Sequence, residues 1–574
     1  MIRRERRRGN VLVVLGIVLV VALASAPGAF AAKKDPKFTT AAAFDVSPPV
    51  TLLQPSSGEA DAPAGNIRSA NAPVAESDTG HAGDAALQTS GFGATLAAGP
   101  LVNFEGLSNQ NNFDIFGFRV NPPDPVGDVG PNHYVEMVNL VFGIYDKAGN
   151  ELLAPVDTGT LWGGFPIEDC TDPSGDPIVL YDQTTDRWLL SQFTTRGFDD
   201  PALPFYNCVA ISTSGDPTGS YYRYAFITQQ DVDGGYYFPD YPKYGVWSNS
   251  YLMTTRDFGS VDGYGISVYA LEKNKMVNGE AKARAVQFFL DSEDPDVALE
   301  DIGDGLLPAD IDGNRRPKAH APAPIVGTQD NGARYGATVD ALNIYDLAVQ
   351  WSANPTASLS EPLELETAPF DSIFPCAPTS RDCLPQPGVA PAQYVDILSY
   401  RQRPTHRLAY RNFGTYETLV TNQSVEALPA AAGVRWYELR RVDGVYTIHQ
   451  QGTYAPGDGV HRWMGSAAMD RNGNIAIGYS VVNGVDVFPG IRYTGRLASD
   501  PAGQMTVAEQ SIVAGSGVQR TTNSRWGDYT SLNVDPVDDC TFWYVNEYYT
   551  AAGQASSPAG WQTRIASFRL PGCG

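Results

Sequence analysis

The stretch Arg525–Tyr549, RWGDYTSLNVDPVDDCTFWYVNEYY, limits this chain most. An alternating run leads into a turn rich in Asp and Pro, and a run of aromatic and β-branched residues returns. That pattern predicts a β-hairpin. Ser466-Ala-Ala-Met-Asp470 repeats the S-x-x-[MV]-D shape of Ser531-Leu-Asn-Val-Asp535, and both follow an Arg-Trp pair, Arg462-Trp463 and Arg525-Trp526. The turns Asp470–Asn474 and Asp535–Asp539 carry Asp, Asn, Gly and Pro, which supply unusual backbone angles and local hydrogen bonds. Weaker copies begin at Val126, Ile178, Tyr244, Leu306 and Val395; the last runs through Tyr400 and a turn at Pro404 to Arg407–Arg411.

A third strand is expected after each hairpin: Phe142–Asp146, Cys208–Ser212, Gly265–Tyr269, Leu342–Asp346, Val434–Glu438, Gly490–Tyr493 and Arg564–Phe568. The units repeat roughly every 65–70 residues, longer than familiar propeller repeats, so long loops are implied. Radial repetition of small antiparallel sheets avoids long exposed edges. The expected fold is therefore all-β, a β-propeller of seven blades, with six or eight as alternatives and a many-stranded sandwich as the competing architecture. Leu101–Leu107 would supply a fourth strand beside Arg564–Leu570 in the last unit.

Arg3–Arg8, the apolar run Val11–Ala24 and Ala29-Phe-Ala31 have the make-up of a secretory signal peptide over residues 1–31. It would be the chain's sole membrane contact, lost on cleavage, and the product would be secreted or held at the cell surface. An uncleaved anchor is the alternative. Residues 32–100 are rich in Ala, Ser, Gly, Pro and Asp and poor in aromatics. They are expected to form a low-complexity, disordered spacer or pro-segment ahead of a propeller domain over 101–574.

The formal net charge is −24; residues 1–31 hold five Arg and one Glu, a charge of +4, so the mature chain would carry −28. Such a surface repels phosphate backbones and argues against nucleic acid as a partner. Six cysteines in an exported chain allow up to three disulfides. Sequence position favours Cys170 with Cys208, Cys376 with Cys383, and Cys540 with Cys573.

No nucleophile elbow, zinc-binding H-E-x-x-H or phosphate-binding Gly-Lys loop occurs. Asp310, Asp312 and Asn314 place oxygen ligands at alternate positions, as calcium loops do, but Arg315-Arg316 stand where a further acid is needed. Calcium is the one cofactor suggested, with a polar turn as the alternative. Lys243-Tyr244, Arg462-Trp463 and Arg525-Trp526-Gly-Asp528 stand where inner strands should begin, at one mouth of a channel. Aromatics beside Arg, Lys and Asp can stack on and hydrogen-bond a sugar-like or anionic ligand. Packing between neighbouring sheets is the alternative role for those aromatics.

Through Val179-Leu-Tyr-Asp182, Arg187-Trp188 and Met469-Asp-Arg-Asn-Gly-Asn474, the hairpins resemble those of sialidase-like and related exported bacterial propellers. The resemblance covers the folded part in outline. The sialidase Asp-box is not met: Ser466 lies four residues before Asp470 rather than two, and Gly473 three after rather than two. No catalytic residue is carried over. The reading ranked first is a non-catalytic binding protein using one propeller face for an extracellular glycan or protein. The alternative is a carbohydrate-active hydrolase or lyase at the channel mouth. Acids converging there with an Arg or His would favour the enzyme; a smooth aromatic mouth would favour the binder.

Overall fold

The computed structural model describes residues 35–55, 83–232, 234–260, 263–291, 302–331, 337–372, 382–397 and 403–573. The architecture is all-β and propeller-like. Four-stranded antiparallel units follow one another along the chain, as the recurring hairpin requires. The first holds Val126–Val129, His133–Val138, Val141–Asp146 and Glu151–Asp157 in that order. In the second, Ile178–Asp182 pairs with Arg187–Phe193, its turn set between Asp182 and Arg187. The inner strands Val126–Val129, Ile178–Asp182, Gly235–Val246, Asp304–Asp312, Thr405–Asn412, His461–Met469 and Ser531–Val534 each touch the next. The last also touches the first.

These inner strands approach so closely that side chains are excluded in places. A Cβ on Gly245 would lie 2.4 Å from the carbonyl oxygen of Ala309 on the neighbouring strand. Asp304–Asp312 and Thr405–Asn412 go further and pair directly, in parallel. Between units the core is aromatic: Tyr134 of the first stacks on Trp543 of the last at 5.5 Å between ring centroids. Such offset pairs add to the apolar burial that holds each sheet to its neighbour.

Val102–Ser108 pairs antiparallel with Trp561–Arg569, with Val102 opposite Ser567, so the segment before the first unit completes the last one. The third-strand expectations fall within observed strands. One hairpin differs. Val395–Asp396 pairs with Asp382–Leu384 in a separate two-stranded sheet, and Thr405–Asn412 is the first strand of its unit, pairing with Glu417–Leu428. Pro404 opens that strand because it can precede a ladder but cannot donate to one.

Within the stretch expected to lack order, Lys37–Thr40 pairs with Arg284–Asp291 and Ala43–Val46 with Tyr221–Ile227. These tetrapeptides are too short to carry a visible period. They persist by adding to sheet edges and by an ion pair between Asp45 and the buried Arg223. Further on, Gln88 accepts from and donates to the backbone of Met505.

Disulfides join Cys170 to Cys208 and Cys540 to Cys573, with Cα atoms 6.0 and 5.6 Å apart. The second ties the hairpin turn of the last unit to the tail behind its third strand. Cys376 lies outside the described residues. Among those residues, no helix is long and apolar enough to cross a membrane.

Candidate functional site

The loops that feed the inner strands bring a carboxylate cluster together at one mouth, the upper face. Asp124 and Asp176 each precede a proline that opens an inner strand, and both take left-handed backbone conformations, φ 48° and 51°. Asp at such positions is tolerated because its short side chain bonds locally. Asp240 ends the regular pairing of its strand with Ser250–Gly259, just before a register shift that leads to Lys243. Asp528 lies in the turn before Ser531–Val534, and Glu547 beneath it on Thr541–Tyr549.

Hydrogen bonds knit the cluster. The Asp528 backbone N–H donates to Asp124 Oδ1 at 2.6 Å. Asn139 donates to Asp124 Oδ2 at 2.6 Å. The Tyr529 hydroxyl donates to Asp176 Oδ2 at 2.7 Å. Gly527 N–H donates to Glu547 Oε1 at 2.5 Å. Gly527 admits no side chain, since a Cβ would lie 2.8 Å from Pro125 Cδ.

A cationic column faces these acids. Lys243 Nζ lies 3.0 Å from the ring centre of Tyr241 and 3.7 Å from that of Tyr529, and the two rings stack at 5.3 Å. The Arg403 guanidinium covers Tyr241 at 4.0 Å. Arg525 donates to Asp528 Oδ2 at 2.9 Å. Asp528 Oδ1, Glu547 Oε2 and Arg403 Nε are buried and have no hydrogen-bond partner among the described residues. Buried polar atoms left unpaired are costly.

The environment separates the carboxyl groups. Burial pushes Asp124 up to about 7, reinforced by the charge of Asp528. Burial, with the charges of Asp240, Asp124 and Asp528, raises Asp176 well above the usual range. Burial and the Asp528 charge raise Asp240. Burial acts upward on Asp528 too, but Arg525 and Arg403 outweigh it and hold that group below the usual range. Burial pulls Lys243 well below an ordinary lysine, and His406 below an ordinary histidine. Arginines hold one carboxyl group down while burial raises its neighbours, the kind of separation that acid–base chemistry uses.

Of the residues singled out from sequence, Lys243, Arg525 and Asp528 lie in this cluster. Tyr244 does not: its ring belongs to the core, and its hydroxyl donates to Asn207 at 3.2 Å. Trp463 and Trp526 are fully buried and pack on each other at 5.2 Å. Arg462 is buried and gripped by Asp458 and Glu509 at 2.8 and 2.7 Å. Asp310 and Asp312 hold Arg407, which donates to them at 2.8, 3.0 and 2.8 Å, while Asn314 is exposed. Their oxygens serve a guanidinium, and no group of three or more metal-binding side chains occurs among the described residues.

Asp124, Asp176, Asp240 and Arg403 escaped the sequence reading. Their shared signal is a nearby proline: Asp124-Pro125, Asp176-Pro177 and Arg403-Pro404 stand just ahead of an inner strand, and Asp240-Tyr241-Pro242 sits at the register shift within one.

No family model matches this chain, and no curated protein does. Solved structures with a similar course include an α-L-arabinanase of Penicillium chrysogenum bound to arabinobiose. It is 9% identical; the match covers 83% of this chain and 100% of that one, at TM-score 0.34. An α-L-arabinofuranosidase of Fusarium graminearum is 10% identical over 68% of this chain and 93% of its own, at 0.27. A mutant sialidase of Trypanosoma rangeli is 10% identical over 68% and 53%, at 0.30.

The first-ranked expectation, a non-catalytic binding protein, is corrected. The mouth is not a smooth aromatic surface: Asp124, Asp176, Asp240 and Asp528 converge there with Arg525 and Arg403.

Proposed function

We propose that this chain is an exported glycoside hydrolase, built as a closed seven-bladed propeller, that cleaves an extracellular glycan at the upper mouth. The single observation that carries the reading is the convergence of Asp124, Asp176, Asp240 and Asp528 with Arg525 and Arg403, in which the two arginines hold Asp528 below the usual carboxylate range while burial raises the half-buried Asp240. Asp240 is the least buried acid of the cluster, so it is the one able to reach a leaving oxygen. It donates its proton there as the glycosidic C–O bond breaks. Asp528 stabilises the positive charge that grows on the sugar and assists the water that ends as the new anomeric hydroxyl. Lys243, Arg403 and the rings of Tyr241 and Tyr529 pack, buried, beside these acids. Two arginines near Asp528 fix its charge without blocking Oδ1.

Ring closure rests on Val102–Ser108 in the last unit and on contact between the first and last inner strands. Export rests on residues 1–31 and is in keeping with the two disulfides.

The test is a panel of plant and microbial glycans incubated with purified protein in H₂¹⁸O. Hydrolysis gives new reducing ends that each carry one ¹⁸O. Products absorbing in the ultraviolet as unsaturated sugars, without ¹⁸O, would instead make the enzyme a lyase. Intact glycans throughout would remove the enzymatic reading.

A further inference from the structure

One strand leads away from the acid cluster along the upper face. In Gly235–Val246, Tyr236, Phe238 and Asp240 alternate, so the three share one face of the strand as far as the register shift that follows Asp240. At about 3.3 Å per residue, Tyr236 stands about 13 Å from Asp240. Beside it rises the loop 194–205. The strand before it, Arg187–Phe193, runs antiparallel to the inner strand Ile178–Asp182 and so ends at the upper face. That loop carries Phe198, whose ring lies 4.6 Å from Phe238 and 4.9 Å from Phe205, with Phe205 5.4 Å from Tyr236.

Phe205 and Phe238 are buried beneath Phe198, and the cluster reaches solvent through its outer members. Phe198 is 44% exposed, and Ile227 close by is 45% exposed. Tyr236 is half-buried, with its partner Asp231 exposed across the turn. Asp199 and Asp200, next to Phe198, are exposed too. Aromatic rings that reach solvent beside carboxylates can stack on sugar rings and bond to their hydroxyls.

We propose that this aromatic row is a distal subsite for a neutral glycan chain, whose sugar rings stack on Phe198 and Tyr236 while another unit of the same chain lies at Asp240. The inference rests on the hydrolase reading for the far end of that chain. Continuity decides the occupant: one strand carries both the aromatic face and the proposed acid. A span of about 13 Å suits a short oligosaccharide rather than a single ring. Asp199, Asp200 and Asp231 can accept bonds from sugar hydroxyls, and together with a net charge of −24 they repel uronate or sulfated chains. The enzyme would therefore need several linked sugars for full rate.

The test compares wild type with Phe198→Ala and Tyr236→Ala on the polysaccharide that the panel identifies and on its disaccharide. Loss of one stacked ring should lower kcat/KM about tenfold on the polymer and leave the disaccharide unchanged. Unchanged polymer rates, or equal losses on both substrates, would overturn the subsite. Phe198→Ala removes an exposed ring and is the variant to trust if Tyr236→Ala unfolds. Affinity electrophoresis reads the row without turnover, in gels containing linear arabinan, arabinoxylan, β-glucan or polygalacturonate. Retardation by a neutral polymer that Phe198→Ala abolishes supports the proposal even if no glycan is cleaved and the hydrolase reading fails. No retardation by any of them, or retardation by polygalacturonate as strong as by the neutral polymers, overturns it.

Discussion

The backbone N–H of Asp528 donates to Oδ1 of Asp124 at 2.6 Å, between residues 404 apart in sequence. The bond spans the seam where the last unit meets the first, so the seam and the acid cluster are one structure. Whatever loosens the junction should also disturb the ionisation of Asp528.

Arg525 is the nearest lever on that ionisation. It donates to Asp528 and is first among the charges that hold its carboxyl down. Arg525→Ala should move the acid limb of the pH–rate profile upward, because burial then acts with less opposition. A limb that stays in place would mean that Asp528 does not set it. The profile of kcat/KM from pH 3 to 8 measures this.

The seam has a pH dependence of its own. Glu136 is fully buried, accepts from Leu107 N–H at 2.8 Å and from the Thr563 hydroxyl at 2.6 Å, and burial raises it to about 7. A raised carboxyl stabilises the fold fully below its unfolded value, near 4.5, and that contribution is lost as pH rises through 7. It amounts to on the order of 3 kcal/mol. Glu136→Gln, which keeps the shape, should flatten the fall in Tm between pH 5 and 8. Parallel wild-type and variant curves would contradict this.

Arg407 should matter for stability and calcium should not. Arg407→Ala would strand Asp310 and Asp312, both buried, and cost about 3–5 kcal/mol. Thermal unfolding with calcium or with a chelator should give the same Tm for the wild type. A rise with calcium would return a metal role to those aspartates.

The early segment should act as structure rather than as a removable cover. Asp45 donates no bond but accepts two from the buried Arg223, at 2.7 and 2.5 Å. Asp45→Ala should cost about 2–4 kcal/mol, and trimming through Val46 should lower Tm without raising activity. Activation on trimming would favour a pro-segment.

Much of the scaffold was legible because each hairpin repeats its own turn chemistry: Asp182 and Arg187 face each other where the alternation predicted a turn. The edge strands at Lys37 and Ala43 were not, since four residues paired to a distant sheet leave no period. The site was half legible. Asp528 stands out beside Arg525-Trp526, whereas Asp124 and Asp176 come from two separate loops and Asp240 from a strand of a third unit, and only ring geometry brings them together. Trp463, Trp526 and Arg462 misled because the same aromatic-plus-charge pattern serves a buried ring pair and a buried ion pair.

The most direct test of the central claim is release of reducing ends by wild type, Asp528→Asn and Asp240→Asn on the glycan panel, with Tm recorded for each. The account predicts activity in the wild type and a loss of about a thousandfold or more in both variants at little cost in Tm. Undiminished turnover by Asp528→Asn, or no turnover by the wild type on any glycan, would contradict it.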